Sequence, residues 1–113
     1  MKPNEYLDEI SYLFASSLSR KILIAIDILS FTTPTVIAKI IKTSPSNVST
    51  KLIKLREKGL VVCLTPERKK GRIYGLTKKG EYVIKFFDGY KAELNLNREL
   101  FEIKYVGSKI KRL

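Results

Sequence analysis

Two hydroxyl-proline pairs, Thr33-Pro34 and Ser44-Pro45, constrain this chain more than any other feature. In each, a hydroxyl suited to accept an unpaired first-turn amide precedes a proline. Proline lacks the N–H that a first helical residue would leave unpaired anyway, and its φ is already set for the helix. The first pair predicts a helix over 34–42, with Val36, Ile37, Ile40 and Ile41 inward. The second predicts one over 45–58, with Gly59 as the left-handed stop. Only Thr43 and Ser44 separate them. The chain must therefore set two short helices on a tight turn.

The flanks follow from periodicity. Tyr6, Ile10 and Leu13 fall at helical spacing, which predicts an amphipathic helix over 4–14. Ser19 reads as the cap of a helix over 20–30 in which Ile22, Leu23, Ile24, Ile26, Ile28 and Leu29 cover most of the circumference. A helix apolar on most sides belongs in the core. After Gly59 the period changes. Residues 60–65 and 72–77 are β-rich, and the joining segment 66–71 carries Arg68, Lys69 and Lys70, so the unit reads as a hairpin with a basic tip. Thr77 caps a further helix from Lys78, where Val83, Phe87, Tyr90 and Leu94 form a narrow seam of the kind that packs on another helix. Leu96, Leu100 and Ile103 suggest one more short helix, and a basic tail follows from 107. The fold class is mainly α with a small β-hairpin (α+β), one domain over 1–113 with its core at 19–80.

Charge narrows the partner. The chain carries +11, and residues 41–80 alone hold eleven bases against Glu57 and Glu67. Nine net charges in a third of the chain repel one another unless a polyanion offsets them, which favours a phosphate-rich partner over an acidic or neutral one. With no His and one Cys, there is no His/Cys zinc site and no internal disulfide. No metal or other cofactor is expected. The longest strongly apolar run, Ile22 to Leu29, contains Asp27 and is too short for a bilayer. No membrane partner is expected either, and the chain is read as cytoplasmic.

The order helix, helix, turn, helix, basic hairpin, helix resembles the winged helix-turn-helix of prokaryotic transcriptional regulators. The likeness is strongest over 19–80. The run from Ser44 to Val62, SPSNVSTKLIKLREKGLVV, resembles the recognition-helix signature of the MarR and ArsR groups, and Leu76-Thr77-Lys78-Lys79-Gly80 is similar to the exit from their wing. The resemblance implies a sequence-specific regulator that binds double-stranded DNA as a homodimer. The places where these families dimerise fall on 1–18 and 81–106, with Tyr6, Ile10, Leu13, Val83, Phe87, Tyr90 and Leu94 as the contact residues. The ArsR likeness also implies metal sensing, for which the His and Cys ligands are missing.

The residues support the same reading without the family. A major groove admits one α-helix, and short polar side chains near its N-terminal end read base edges. On a helical wheel Val48, Leu52 and Leu55 face the core, leaving Ser46, Asn47, Thr50, Ile53 and Lys54 opposite. Ser46, Asn47 and Thr50 are candidates for base edges or phosphates, and Lys51 and Lys54, like Lys58, suit phosphates. Ile53 can meet a thymine methyl or be an ordinary exposed apolar residue. In the wing, Arg68, Lys69, Lys70 and Arg72 would meet phosphates or the adjacent minor groove, where the weakly hydrated guanidinium of Arg has the advantage. The plainer reading of each group is a polar first turn and a solvated hairpin tip.

Other signals carry less. Cys63, in a Val-Val-Cys-Leu strand, reads as a small packed hydrophobe rather than a redox sensor. Asn47-Val48-Ser49 matches a glycosylation sequon by accident of a helix start. Gly75 to Gly80 has phosphate-loop spacing, but Glu81-Tyr82 follows where Lys and Ser/Thr are required. Tyr82, Phe86, Phe87 and Tyr90 read as packing rather than an effector pocket. No catalytic pairing is visible, so an enzyme is not expected. Two rival readings are an architectural DNA coater, favoured by the tail Lys109, Lys111 and Arg112, and a protein-interaction winged helix within transcription machinery.

Overall fold

The computed structural model describes residues 3–87. A 3-10 turn, Pro3–Tyr6, leads into α1 (Leu7–Ala15), then α2 (Ser17–Leu29), β1 (Phe31–Thr32), α3 (Pro34–Ile41) and α4 (Pro45–Glu57). The chain continues through β2 (Val61–Cys63) and β3 (Tyr74–Leu76) to α5 (Lys78–Ile84). The expected segments 96–103 and 107–113, like Tyr90 and Leu94, lie outside the described residues.

The two hydroxyl-proline starts form as predicted. Thr33 Oγ1 accepts from Val36 N at 3.4 Å, and Ser44 Oγ accepts from Asn47 N at 3.2 Å. Gly59 closes α4 at φ 75°, with Leu60 N donating to Leu55 O and Gly59 N to Arg56 O. That pair of bonds is the Schellman arrangement. At the end of α3 the left-handed position is filled by Lys42, at φ 59°. The cap of α2 differs from expectation. Ser16, not Ser19, holds the helix start, its Oγ accepting from Ser19 N at 3.2 Å, while Ser19 is fully buried. The Ser19 hydroxyl is satisfied in place, receiving from Ser16 Oγ and donating to Tyr12 OH at 3.1 Å.

The core is built around α2. Ile22, Leu23, Ile24, Ala25 and Ile26 are five consecutive buried residues, which only a helix surrounded on nearly all sides can show. Leu13 of α1, Leu29 of α2, Ile37, Ala38 and Ile40 of α3, Val48, Leu52 and Leu55 of α4, Leu60, the strand residues Val61, Cys63 and Tyr74, and Val83 and Ile84 of α5 complete the cluster. Burying one large aliphatic side chain contributes roughly 1.5–3 kcal/mol. The stripe of α4 thus fixes which of its faces remains outside.

The hairpin is part of a three-stranded antiparallel sheet ordered β1-β3-β2. Its strands are shorter than the β-rich runs, and β1 was not anticipated from its two residues. Thr32, Tyr74 and Cys63 align in one row and are buried, whereas Phe31 and Val62 flank Gly75 on the outer face. Cys63 is therefore a packed side chain of the inner row. Helix α5 also departs from expectation. It ends at Ile84, where Phe86 N and Phe87 N bond to Val83 O and Ile84 O and tighten the last turn. Phe86 then meets the Tyr82 ring edge-on at 5.1 Å, and Phe87 lies 6.4 Å from the Phe14 ring with the Arg20 guanidinium over it. Phe87 thus packs on α1 and α2 of its own chain.

Two of the expected dimer residues, Leu13 and Val83, need a correction. Leu13 and Val83 are 0% exposed inside the protomer, so neither has surface left for a second chain. Tyr6 packs edge-to-face on Tyr82 at 5.9 Å, and Ile10 and Phe87 pack against the core. On α1 the large apolar side chains left open are Leu7 and Phe14, Phe14 at 76% exposure. The helical spacing of Tyr6, Ile10 and Leu13 marks the face of α1 that packs inward. The helix folds its apolar face onto its own chain.

Candidate nucleic-acid interface

Helix α4 presents three outer strips, because its core stripe Val48-Leu52-Leu55 leaves the rest of the circumference free. The first strip faces the wing. Pro45, Ser49, Ile53 and Arg56 line a groove of about 500 Å³ with Pro34 and Thr35 of α3 and Lys69, Lys70, Gly71, Arg72 and Tyr74 of the hairpin. The second strip, directly outward, carries exposed Ser46 and Thr50 and reaches Ile53 on its wing-side border. The third carries exposed Asn47 and Lys54 and half-buried Lys51 on the side turned from the wing. The structure thus brings Lys69, Lys70 and Arg72 together with α4, whereas Ser46 and Thr50, on the outward strip, do not line that groove. Asn47, Lys51 and Lys54 lie around the helix, and Arg68 is exposed but outside the groove lining.

Ser49, Arg56, Thr35 and the two prolines were not anticipated. Ser49 and Arg56 sit one step around the wheel from the core stripe, so a wheel marks them as a flank. Which flank meets the wing depends on how the hairpin returns, and that is a tertiary fact.

The polar side chains of α4 are partly engaged. The Thr50 hydroxyl donates to Ser46 O at 2.9 Å, which spends its one proton and leaves its lone pairs outward. Thr50 is therefore set as an acceptor, suited to an adenine or cytosine amino group. Asn47 donates through Nδ2 to Thr43 Oγ1 at 3.1 Å, which ties it to the turn before α4 and orients its amide. Lys54 lies 3.9 Å from the Glu57 carboxylate with both side chains largely exposed. Such a pair contributes little in water, so Lys54 can exchange it for a phosphate at small cost. Lys58 instead stands over the Tyr12 ring at 4.8 Å, which places it against α1 rather than in the outward row.

The wing is ordered by its own arginines. Arg72 donates through Nε to Arg68 O and through Nη2 to Pro66 O at 3.4 Å, and Arg68 Nη1 reaches Gly71 O at 3.5 Å. Thr65 Oγ1 accepts from Ile73 N at 3.0 Å, extending the ladder by one rung beyond the strands. With Arg72 folded across the loop, Lys69 and Lys70 are held outward beside α4. Arg72 fixes the shape of the tip as well as adding charge to it.

Behind the interface a polar cluster fixes the exit of α4. Lys79 Nζ pairs with the Glu9 carboxylate, donates to Lys58 O at 2.9 Å and stands 5.1 Å from the Tyr6 ring centre. The hydrogen bond from Lys79, opposed by the cost of burying the group, holds Glu9 below the ordinary glutamate value. Thr77 Oγ1 donates to Gly59 O at 2.6 Å and accepts from Gly80 N, so it joins the end of α4 to the start of α5. Among the described residues no group of His, Cys, Asp and Glu is gathered to hold a metal, and no helix is long and apolar enough to cross a membrane.

No family profile and no curated protein matches the sequence. Solved structures do match. A cysteine-to-serine variant of Lactococcus lactis ZitR is 26% identical with a TM-score of 0.58, over 86% of this chain and 70% of that one. Wild-type MarR from E. coli, in its apo form, is 26% identical with a TM-score of 0.60, over 95% of this chain and 84% of that one. A cysteine-to-serine variant of E. coli MarR complexed with operator DNA matches at 24% identity with a TM-score of 0.59, over 94% and 83%. With its turn-linked helices, basic hairpin and three-stranded sheet, the chain is a MarR-like winged helix-turn-helix protein.

Proposed function

We propose that this chain is a sequence-specific transcriptional regulator that binds double-stranded DNA as a homodimer. Helix α4 enters the major groove, and the wing follows phosphates or the adjacent minor groove. One observation carries the reading: Lys69, Lys70 and Arg72 converge with Arg56 on a groove whose α4 wall is Pro45, Ser49, Ile53 and Arg56. A concave surface with cations on both walls and the short polar side chains of Thr35 and Ser49 between them suits a duplex. That one structural neighbour was solved with operator DNA, and that others are a repressor and transcriptional regulators, supports a binding role rather than a catalytic one. In this reading two protomers join through the open face of α1, at Leu7 and Phe14, with Tyr90 and Leu94 contributing. Their recognition helices then lie about one helical turn, ~34 Å, apart on a pseudopalindromic site.

The test is a selection from a random duplex library, followed by binding across a salt series. Asn47→Ala with Thr50→Ala is expected to lower sequence preference more than bulk affinity. Lys69→Ala with Lys70→Ala is expected to reduce the slope of log K against log salt by roughly 2. Equal competition by random duplex at moderate salt would instead favour the architectural coater. Failure to shift any duplex at low salt, with a stable heteromer on pull-down, would favour the protein-interaction reading.

A further inference from the structure

Ile53 takes no part in the core and is 59% exposed. It stands between the wing-side groove and a second hollow of about 250 Å³ that it shares with Arg56 and Glu57. Around it are Ser49 and Arg56 on its own helix, with Lys69, Lys70 and Arg72 across the groove. More than half of this large aliphatic side chain is left in water, with Arg56, Lys69, Lys70 and Arg72 on its groove side and Glu57 in the second hollow. It gains from an apolar group on whatever fills the groove. A major groove offers one such group along its floor, the C5 methyl of thymine. Ile53 also continues the outward row from Ser46 and Thr50. Seven helical steps separate Ser46 from Ile53, a rise of about 10.5 Å or roughly three base-pair steps.

We infer that Ile53 is a specificity-determining residue, and that each operator half-site carries a thymine whose 5-methyl seats against it, about three base pairs from the base met by Ser46. The inference rests on the duplex-DNA reading above and adds a base identity to it. Thr50, back-bonded to Ser46 O, supplies an acceptor next to this contact. The row therefore combines a methyl-reading side chain with one that accepts from an amino group. Together they select by shape and by hydrogen bonding.

The experiment uses the full chain and an operator recovered from the random library. Each thymine of that operator is replaced in turn by deoxyuridine, which removes the methyl and nothing else. Affinity is then measured for the wild type, Ile53→Val and Ile53→Ala. One thymine per half-site is expected at which uracil weakens the wild type roughly four-fold, or roughly 15-fold when both half-sites are changed. Ile53→Ala is expected to bind the two forms alike, with Ile53→Val between. Thermal melting of the free variants checks that the fold is intact. A wild type indifferent to every replacement overturns the inference while leaving the regulator reading in place, and so does discrimination that persists in Ile53→Ala. A library that yields no preferred sequence removes both.

Discussion

Gly80 is where a single methyl group should do the most damage. A Cβ added there would lie 2.1 Å from Leu60 O and 3.1 Å from Leu60 C, whereas contacts under 3.0 Å are essentially never seen. The obstacle is backbone, so it cannot swing aside as the end of a side chain would. Helix α5 would have to back away by about 1 Å. That movement pulls on Thr77 N to Leu60 O at 3.1 Å and on Thr77 Oγ1 to Gly59 O at 2.6 Å, the bonds joining the exit of α4 to α5. Each is worth about 1 kcal/mol net, and overpacking adds about 1–3 kcal/mol of strain. Alanine returns roughly 1 kcal/mol of helix propensity. The expected loss for Gly80→Ala is therefore about 2–4 kcal/mol, or roughly 10–20 °C in Tm. Gly71→Ala is the control. Its φ is 63° but nothing lies within 4 Å of the added Cβ, so only the left-handed backbone is penalised, at about 1 kcal/mol. Thermal unfolding followed by circular dichroism compares the two. Should Gly80→Ala melt as high as Gly71→Ala, the α4–α5 junction is not held as tightly as the geometry requires, and the reasoning fails.

Three further outcomes follow from the same structure. Because Glu9 is held below the ordinary 4.5 by the Lys79 hydrogen bond, the unfolded chain takes up its proton first as pH falls. Its stabilisation is thus complete above 4.5 and lost as pH drops through the lower folded value, and denaturant titrations should show Glu9→Gln flattening that acid dependence. Arg72→Lys keeps the charge but loses the fork that binds Arg68 O and Pro66 O, so duplex affinity should fall while the salt slope stays unchanged; an affinity equal to that of the wild type would mean that Arg72 acts by its charge alone and does not shape the tip. Ser44→Ala removes the acceptor for Asn47 N and should cost about 1 kcal/mol in chemical unfolding, with amide exchange accelerating first at the start of α4.

Local chemistry determined much of this fold, and it did so wherever the signal was short in range. A hydroxyl before a proline needs only the next three residues to start a helix, so Thr33 and Ser44 were readable as caps, as was Gly59 as a stop. The crowded apolar circumference of α2 likewise declared its central position. The basic character of the hairpin and its place after α4 were legible for the same reason: charge and strand propensity are properties of the segment itself.

Tertiary structure decided what depends on a distant neighbour. Ser16 and Ser19 are equally good caps locally, and burial of Ser19 against Tyr12 selects Ser16. Strand β1 exists because Phe31 and Thr32 pair with Gly75 and Tyr74, more than forty residues on, and two residues cannot announce that by themselves. The apolar stripes of α1 and α5 could have met a second chain as well as their own. Only packing shows that Leu13 and Val83 are spent inside the protomer. The wing-facing strip of α4 is the same kind of case: a helix fixes which residues share a side, and only the path of the chain after it decides which side confronts the hairpin.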